Sequence, residues 1–207
     1  EIYSIDEAFL EFKGFENYDL EQYGKEIRKI ILKWTGIPVS IGFAPTKALA
    51  KVANRISKKF EKKTNGVYAI NSNTKREKAL KWLKIEDVWG IGFKHAERLK
   101  KYKIDRAYNF TILPDDWVRK QMSVVGLRLK KELEGESVLS LEESRSPKKA
   151  IATTRSFEKN LTSFEDLKER ISTFSILCSE KLRYQKSTCS SIYVFLKSNR
   201  HQKNKLQ

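Results

Sequence analysis

Apolar and polar positions divide the chain into three sections. In residues 1–74, apolar positions at helical spacing predict a helix at about Leu20–Trp34. The apolar run at the start of the chain and the stretches "IPVSIGFA" and "GVYAI" have the composition of strands. Pro45 suits the first turn of a second helix after "IPVSIGFA". Strands that alternate with helices predict a sheet covered by helices.

The other two sections differ from the first and from each other. Residues 75–140 predict mainly helices, and the polar stretch "LEESRSPKK" predicts an exposed linker over 141–148. Residues 149–207 predict a strand in "AIATTRSF", a helix at Ser163–Tyr184 and a strand in "SSIYVFLKS", followed by a basic ending. The whole pattern predicts an α+β fold with a partial sheet at each end and a helical middle section.

The composition indicates a polyanionic partner. Lys and Arg number 42 against 26 Asp and Glu, which gives a net charge of +16. No apolar run approaches the roughly 18–20 residues of a membrane-spanning helix, so we expect no membrane association. The two cysteines, Cys178 and Cys189, lack the spacing of a metal site or a disulfide framework. A reducing cytoplasmic location fits best.

One segment, "KALAKVANRISKKFEKK", carries seven cations and a single acid over 17 residues. Its helical spacing predicts an apolar face made of Leu49, Val52, Ala53, Ile56 and Phe60. The opposite face is cationic and contains Lys47, Lys51, Arg55, Lys58, Lys59 and Lys62. We predict that this face binds phosphate; an ordinary solvated face is the alternative.

A second segment, "VWGIGFKHAERLKKYKI", has the pattern of a helix-hairpin-helix, with Ala96 and Leu99 predicted to face inward. Two glycines, Gly90 and Gly92, let the backbone approach a phosphate. Amides at the start of the next helix then donate to the phosphate oxygens, helped by Lys94. The alternative is a tight turn between two helices without a ligand.

Asp6 and Glu7 interrupt the apolar stretch "YSIDEAFLEF". Neighbouring residues of a regular strand point to opposite faces, so a turn or bulge at this pair is needed to bring both carboxylates to one pocket. Mg²⁺ binds one or two carboxylates together with substrate phosphates and water. An exposed turn bearing two acids is the alternative.

Taken together, these motifs resemble the Y-family translesion DNA polymerases, in particular their bacterial UmuC-like branch. The matching stretches, in chain order, are "YSIDEAFLEF", "GIPVSIGFAPTKALAKVANRISKK", "VWGIGFKHAERLKKYKI" and "TTRSF". The resemblance implies a right-hand polymerase. Residues 1–74 then correspond to the later part of the palm, 75–140 to the thumb and 149–207 to the start of the little finger.

The resemblance also implies roles for individual residues. Asp6 and Glu7 match the two adjacent catalytic carboxylates that bind metal, and Lys58 matches the basic residue that reaches the incoming triphosphate. Residues implied to contact DNA lie in the thumb hairpin and on the first little-finger strand: Gly90, Gly92, Lys94, Arg155 and Ser156. On the cationic helix, Lys47, Lys51 and Arg55 are expected to contact DNA as well.

The reaction implied is error-prone, DNA-directed DNA synthesis past damage in the SOS response, with two Mg²⁺ ions. Its substrates are primer–template DNA and deoxynucleoside triphosphates. Partners expected from the resemblance are a sliding clamp, a UmuD-like accessory protein and a recombinase filament.

In the family, a further metal-binding Asp and the fingers precede the stretch that matches "YSIDEAFLEF". We therefore expect this chain to be a fragment that is inactive alone. Two other functions remain open: a sequence-independent DNA-binding module without catalysis, and a metal-dependent nuclease.

Overall fold

The computed structural model describes residues 1–15, 17–142, 147–159 and 161–197. The chain forms two compact units, Glu1–Glu143 and Ser144–Gln207. Part of the predicted linker, 143–146, and the basic ending from residue 198 lie outside the described residues. Within the described ranges, no helix has both the length and the apolar character needed to cross a membrane.

The first unit combines helices with a small parallel sheet, so the predicted α+β class is confirmed. Its elements in chain order are α1 (Leu20–Thr35), β1 (Ile41–Phe43), α2 (Lys47–Lys59), α3 (Glu61–Thr64), β2 (Val67–Ala69), α4 (Asn73–Trp82), a 3₁₀ turn (Ile85–Asp87), α5 (Phe93–Lys101), α6 (Ala107–Thr111) and α7 (Asp115–Glu134, with a kink at Ser123).

The sheet consists of β1 and β2, paired in parallel with Ile41 opposite Val67. Parallel neighbours need a crossover connection, which α2 and α3 provide. Gly42 lets α2 lie directly on β1, because a Cβ atom at this position would be 2.2 Å from the backbone nitrogen of Asn54. The backbone of α2 therefore packs against the backbone of the strand.

The predicted apolar face of α2 forms part of the core. Leu49, Val52, Ala53 and Ile56 are buried, whereas Phe60 is 36% exposed. The four buried residues join one apolar cluster with residues of α4, α5, α6 and α7. Two sections assigned separately to palm and thumb thus share a core, and the boundary between residues 74 and 75 stays a prediction.

One expectation for the first unit is wrong, and one helix is covered less than its apolar positions indicate. The start of the chain is not a strand, since it has only an isolated antiparallel bridge between Ile2 and Ala8. The apolar stripe of α1 is only partly covered: Ile30 is 44% and Trp34 is 78% exposed. Trp34 is therefore not a core residue, although the other three tryptophans do pack against the core. A sheet of two short strands covers only part of the helix beside it.

The second unit contains one long helix, α8 (Phe164–Tyr184). It begins where predicted because the Ser163 side chain accepts a hydrogen bond from the Asp166 amide. The two strands predicted on either side are wrong for the described residues 151–157 and 191–197, which form no ladder. Residue composition shows only that a segment is suited to a strand. A strand also requires a neighbouring strand whose backbone it can hydrogen-bond.

Candidate functional site

The two acids lie at the tip of a tight turn, here called the carboxylate turn (Ile2–Ala8). The amides of Tyr3 and Ser4 both donate to the Glu7 carbonyl oxygen, at 3.0 and 3.1 Å. The turn is exposed around Asp6 and Glu7. The turn expected at this pair is therefore present, and it keeps both carboxylates at the surface.

The Asp6 carboxylate is held in its charged form. The Ser4 hydroxyl donates to Asp6 Oδ1 at 2.6 Å and accepts from the Asp6 amide at 3.3 Å. The hydrogen bond from Ser4 lowers the pKa of Asp6, and the nearby charges of Lys58 and Lys51 lower it further. A charged, exposed carboxylate is the form that binds a cation.

The cationic face of α2 lies along this turn. Lys51 Nζ is 2.5 Å from Glu7 Oε1, and Lys47 pairs with Glu1. One turn further along α2, Arg55 Nη2 is 2.5 Å from Asp87 Oδ1, just before the Gly-Ile-Gly stretch.

The predicted phosphate-binding cations thus fall into two groups. Lys47, Lys51 and Arg55 are ion-paired with carboxylates of the same unit. Lys58, Lys59 and Lys62 are exposed and have no ion pair within the part of the chain that the structure describes. Of these three, Lys58 is the one whose charge lowers the pKa of Asp6, so it is best placed to bind a phosphate beside the carboxylate turn without first losing a partner.

The second predicted motif forms what we call the glycine loop (Val88–Gly92), followed by α5. Gly90 has φ 88°, a left-handed conformation that favours glycine. Ala96 and Leu99 are buried, as expected, and Ile91 is buried as well. The first amides of a helix have no partner within it, and Gly92 provides no side-chain cap for α5.

The start of α5 is also open to solvent. A Cβ atom on Gly92 would meet nothing within 4 Å, and Gly92 and Lys94 are both exposed. Lys94 has no ion pair among the described residues. This geometry suits an anion at the start of α5.

The carboxylate turn and the glycine loop are in direct contact. Trp89 Nε1 donates to the Tyr3 hydroxyl oxygen at 2.8 Å. The sequence pattern singles out none of Trp89, Tyr3 and Ser4 as a site residue. A pair that lies 86 residues apart leaves no periodic signal, so the pattern alone could not reveal it.

The two predicted DNA contacts of the second unit are exposed. Arg155 and Ser156 lie in an irregular segment rather than on a strand, and Arg155 Nη1 donates to the carbonyl of Thr154 at 3.0 Å. Their contact with DNA stays a prediction.

The donor set of the carboxylate turn fits Mg²⁺ only in part. Asp6 and Glu7 offer the hard oxygen ligands that this ion prefers. Among the residues described, no group of three or more acidic, histidine or cysteine side chains is arranged to hold a metal. The two carboxylates therefore suit an ion that is also bound by substrate phosphates and water.

Comparison with family models gives two matches. The model of the impB/mucB/samB family matches residues 1–55, and that of the impB/mucB/samB family C-terminal domain matches residues 148–207. Together they cover just over half of the chain. The chain belongs to this family, as a UmuC-like member of the Y-family polymerases.

Curated relatives agree with the family models. Protein UmuC of Salmonella typhimurium is 36% identical over 200 residues, which are 96% of this chain and 47% of the relative. Protein SamB of Salmonella typhimurium is 36% identical over 202 residues, with the same coverage. DNA polymerase IV 1 of Halalkalibacterium halodurans is 31% identical over 128 residues, which are 61% of this chain and 29% of the relative. The chain spans about half the length of the UmuC and SamB proteins that it matches.

Two solved structures are similar to part of the chain. An insertion ternary complex of Dbh DNA polymerase has a TM-score of 0.48 and 27% identity, covering 59% of this chain and 34% of its own. DinB from Sulfolobus solfataricus has a TM-score of 0.44 and 29% identity, covering 55% of this chain and 32% of its own.

Proposed function

We propose that this chain provides part of the active site and duplex grip of an error-prone, DNA-directed DNA polymerase of translesion synthesis. The observation that carries the proposal is a juxtaposition within the first unit. The adjacent carboxylates Asp6 and Glu7, the cationic face of α2 and the glycine loop meet at one place. Polymerization past a lesion needs these three chemistries: carboxylates for metal, a cation for triphosphate and a backbone contact for duplex.

Each group has a defined task in this reaction. Asp6 and Glu7 would hold Mg²⁺, which when bound supplies Lewis-acid activation of the primer hydroxyl and neutralises charge on the leaving pyrophosphate. Ser4 keeps the Asp6 carboxylate charged. Lys58 binds the triphosphate, and Lys94 with the first amides of α5 binds a duplex phosphate without reading sequence.

The proposed substrates, cellular process and partners are those that the family implies. Substrates are primer–template DNA and deoxynucleoside triphosphates, and the reaction belongs to SOS repair in the cytoplasm. Partners proposed for the complete protein are a sliding clamp, a UmuD-like accessory protein and a recombinase filament. In the second unit, Arg155 and Ser156 are proposed to lie along the DNA backbone.

Primer extension across an abasic site by the full-length gene product tests the proposal. We expect Asp6→Ala and Glu7→Ala each to lower the extension rate at least about 100-fold, the scale of losing one group that stabilises developing charge. Glu11→Ala is the matched control, because Glu11 is an exposed acid of the same segment, paired with Lys13 at 3.2 Å. Undiminished extension by the Asp6 and Glu7 variants would refute the proposal. Metal-dependent shortening of the primer would instead indicate a nuclease.

A second candidate function is sequence-independent DNA binding without catalysis. It is favoured by the net charge of +16 and by the absence of a third metal-binding acid from the described residues. Anisotropy titrations of the 207-residue chain with unrelated duplexes test it. Each neutralised phosphate contributes about −0.9 to the slope of log affinity against log salt, and Lys94→Gln should remove about one such contribution. An affinity that does not change with salt would exclude this function.

A further inference from the structure

The carboxylate turn has little support of its own. Its backbone is tied by the bridge between Ile2 and Ala8 and by the two amides that donate to Glu7. Ile5 is fully exposed and Tyr3 is 41% exposed. A surface turn of this kind would move freely without contacts from outside, yet a metal-binding pair must be held to within about half an ångström.

In addition to the ion pair between Lys51 and Glu7, external support comes from one aromatic cluster, which we define as Tyr3, Phe9 and Trp89. The rings of Tyr3 and Trp89 meet edge to face at 5.5 Å, and those of Tyr3 and Phe9 at 5.6 Å. Phe9 and Trp89 are 6.0 Å apart and tilted. The three rings form a closed triangle, and the hydrogen bond from Trp89 Nε1 to the Tyr3 hydroxyl fixes its orientation.

The cluster is anchored on the rigid part of the unit. Trp89 is half-buried against the core, between the buried residues Val88 and Ile91. From the side of α2, Lys51 Nζ lies 5.5 Å from the Tyr3 ring centroid, and Lys47 Nζ lies 5.2 Å from that of Phe9. The lysine that pairs with Glu7 therefore also contacts the ring that Trp89 holds.

We propose that Tyr3 and Trp89 are positioning residues, which fix the Asp6–Glu7 pair relative to the glycine loop through the Trp89–Tyr3 hydrogen bond and ring contact. This inference rests on the proposed function. Trp89 immediately precedes Gly90, so the residue that orients the carboxylates belongs to the loop proposed to hold the duplex. A shift of that loop is thus transmitted directly to the metal-binding pair.

Primer extension with the full-length gene product tests this through Tyr3→Phe, Trp89→Phe and the double variant. Tyr3→Phe removes only the hydroxyl of an exposed side chain, so its folding is not in question. Each single change should lower kcat about 3- to 10-fold, the scale of one lost hydrogen bond, with the Kd for primer–template unchanged within about twofold. Because both act through one contact, the double variant should lose no more than about 10-fold.

Trp82→Phe is the matched control, since Trp82 is also half-buried but packs against Phe60 at 5.4 Å, away from the turn. It should keep the wild-type kcat. As a readout independent of catalysis, the free Mn²⁺ signal in electron paramagnetic resonance titrations should show weaker Mn²⁺ binding by Tyr3→Phe and Trp89→Phe, and unchanged binding by Trp82→Phe.

The outcomes separate this inference from the function on which it rests. If Asp6→Ala and Glu7→Ala extend primers normally, the polymerase proposal fails and the inference fails with it. If those variants are inactive while Tyr3→Phe and Trp89→Phe match Trp82→Phe in kcat and Mn²⁺ binding, only the positioning role is overturned. The positioning role would also be overturned if the loss of kcat in the double variant equalled the product of the two single losses. It would likewise be overturned if the affinity for DNA fell in parallel with kcat.

Discussion

The two units of the chain use their apolar side chains in opposite ways. In the first, residues from α2, α4, α5, α6 and α7 form one buried cluster. In the second, none of the described residues is buried, and α8 and its flanking segments expose large apolar side chains such as Ile192 and Tyr193, both 84% exposed. The same chain thus contains one unit stabilised by a buried core and one whose helix is stabilised by local interactions.

The difference shows which structures need a partner. A helix satisfies its backbone hydrogen bonds within itself, and α8 has a serine cap, acidic residues in its first turn and basic residues in its last. A strand satisfies its backbone only through a neighbour. The segments 151–157 and 191–197 accordingly form no ladder despite their composition.

The largest effect expected from this comparison follows from removing one phenylalanine in each unit. Phe110 is fully buried, so Phe110→Ala should lower the free energy of unfolding by about 3–5 kcal/mol. Phe174→Ala should cost less than about 1 kcal/mol, because Phe174 is half-exposed and, among the described residues, its ring stacks only on Phe157. Urea unfolding followed by tryptophan fluorescence measures the effect of Phe110→Ala, because the first unit contains all four tryptophans. Hydrogen exchange of the α8 amides measures the effect of Phe174→Ala in the second unit. Equal shifts in the two variants would contradict the comparison.

A smaller effect is expected at a buried carboxylate. Glu132 is fully buried and accepts hydrogen bonds from the amides of Ala48, Val138 and Leu139 at 3.1, 2.8 and 2.9 Å. Glu132→Gln turns an amide donor toward those donors, so we expect a loss of about 2–3 kcal/mol. Glu180→Gln on exposed α8 is the control, and it should stay within about 0.5 kcal/mol of wild type. Chemical denaturation at neutral pH measures both.

The helix caps provide a further test of the difference between the two units. Ser72 caps α4 and Ser163 caps α8, each by accepting a backbone hydrogen bond. Either change to alanine should cost about 1 kcal/mol. In α4, which buries Ala79 and Leu80, the loss should lower the stability of the whole unit. In α8 it should appear as about fivefold faster hydrogen exchange confined to that helix. Global destabilisation by Ser163→Ala would show that α8 is packed after all.

The smallest effect concerns an exposed part of the first unit. The Ser4 hydroxyl lowers the pKa of Asp6, so Ser4→Ala should raise that pKa toward its ordinary value. Asp6 then takes up its proton at a higher pH, and the acidic limb of the pH–rate profile for extension should move to higher pH. The melting temperature should not change, since the turn contributes no buried surface around Asp6. If the acidic limb did not move, Ser4 would have no role in keeping Asp6 charged at the site.

Local signals predicted most of the helices and the two strands of the sheet. The start of α1, the apolar face of α2 and the inward positions of α5 all follow from periodicity and turn chemistry. The carboxylate turn was also predicted, because two adjacent acids do not suit a regular strand.

Features that depend on distant residues were not predicted. Trp34 lies in an apolar stripe yet is exposed, because coverage depends on how many strands lie beside α1. Charge pattern identified the cations of α2 but not their ion pairs with Glu7 and Asp87, since sequence does not show which carboxylates fold back onto them. The Trp89–Tyr3 contact joins two segments that only the tertiary fold brings together.

The close contact at Gly42 determines how a displacement between β1 and α2 would affect the candidate site. Side chains between two elements can absorb a small displacement by changing rotamer, but between β1 and α2 at this point there is only backbone. The offset between strand and helix is therefore set by contacts that cannot relax. An added methyl group would lift α2 as one body, and the ammonium groups of Lys51 and Lys58 would move with it. The close contact at Gly42 therefore sets the distance between these cations and the carboxylates of the turn.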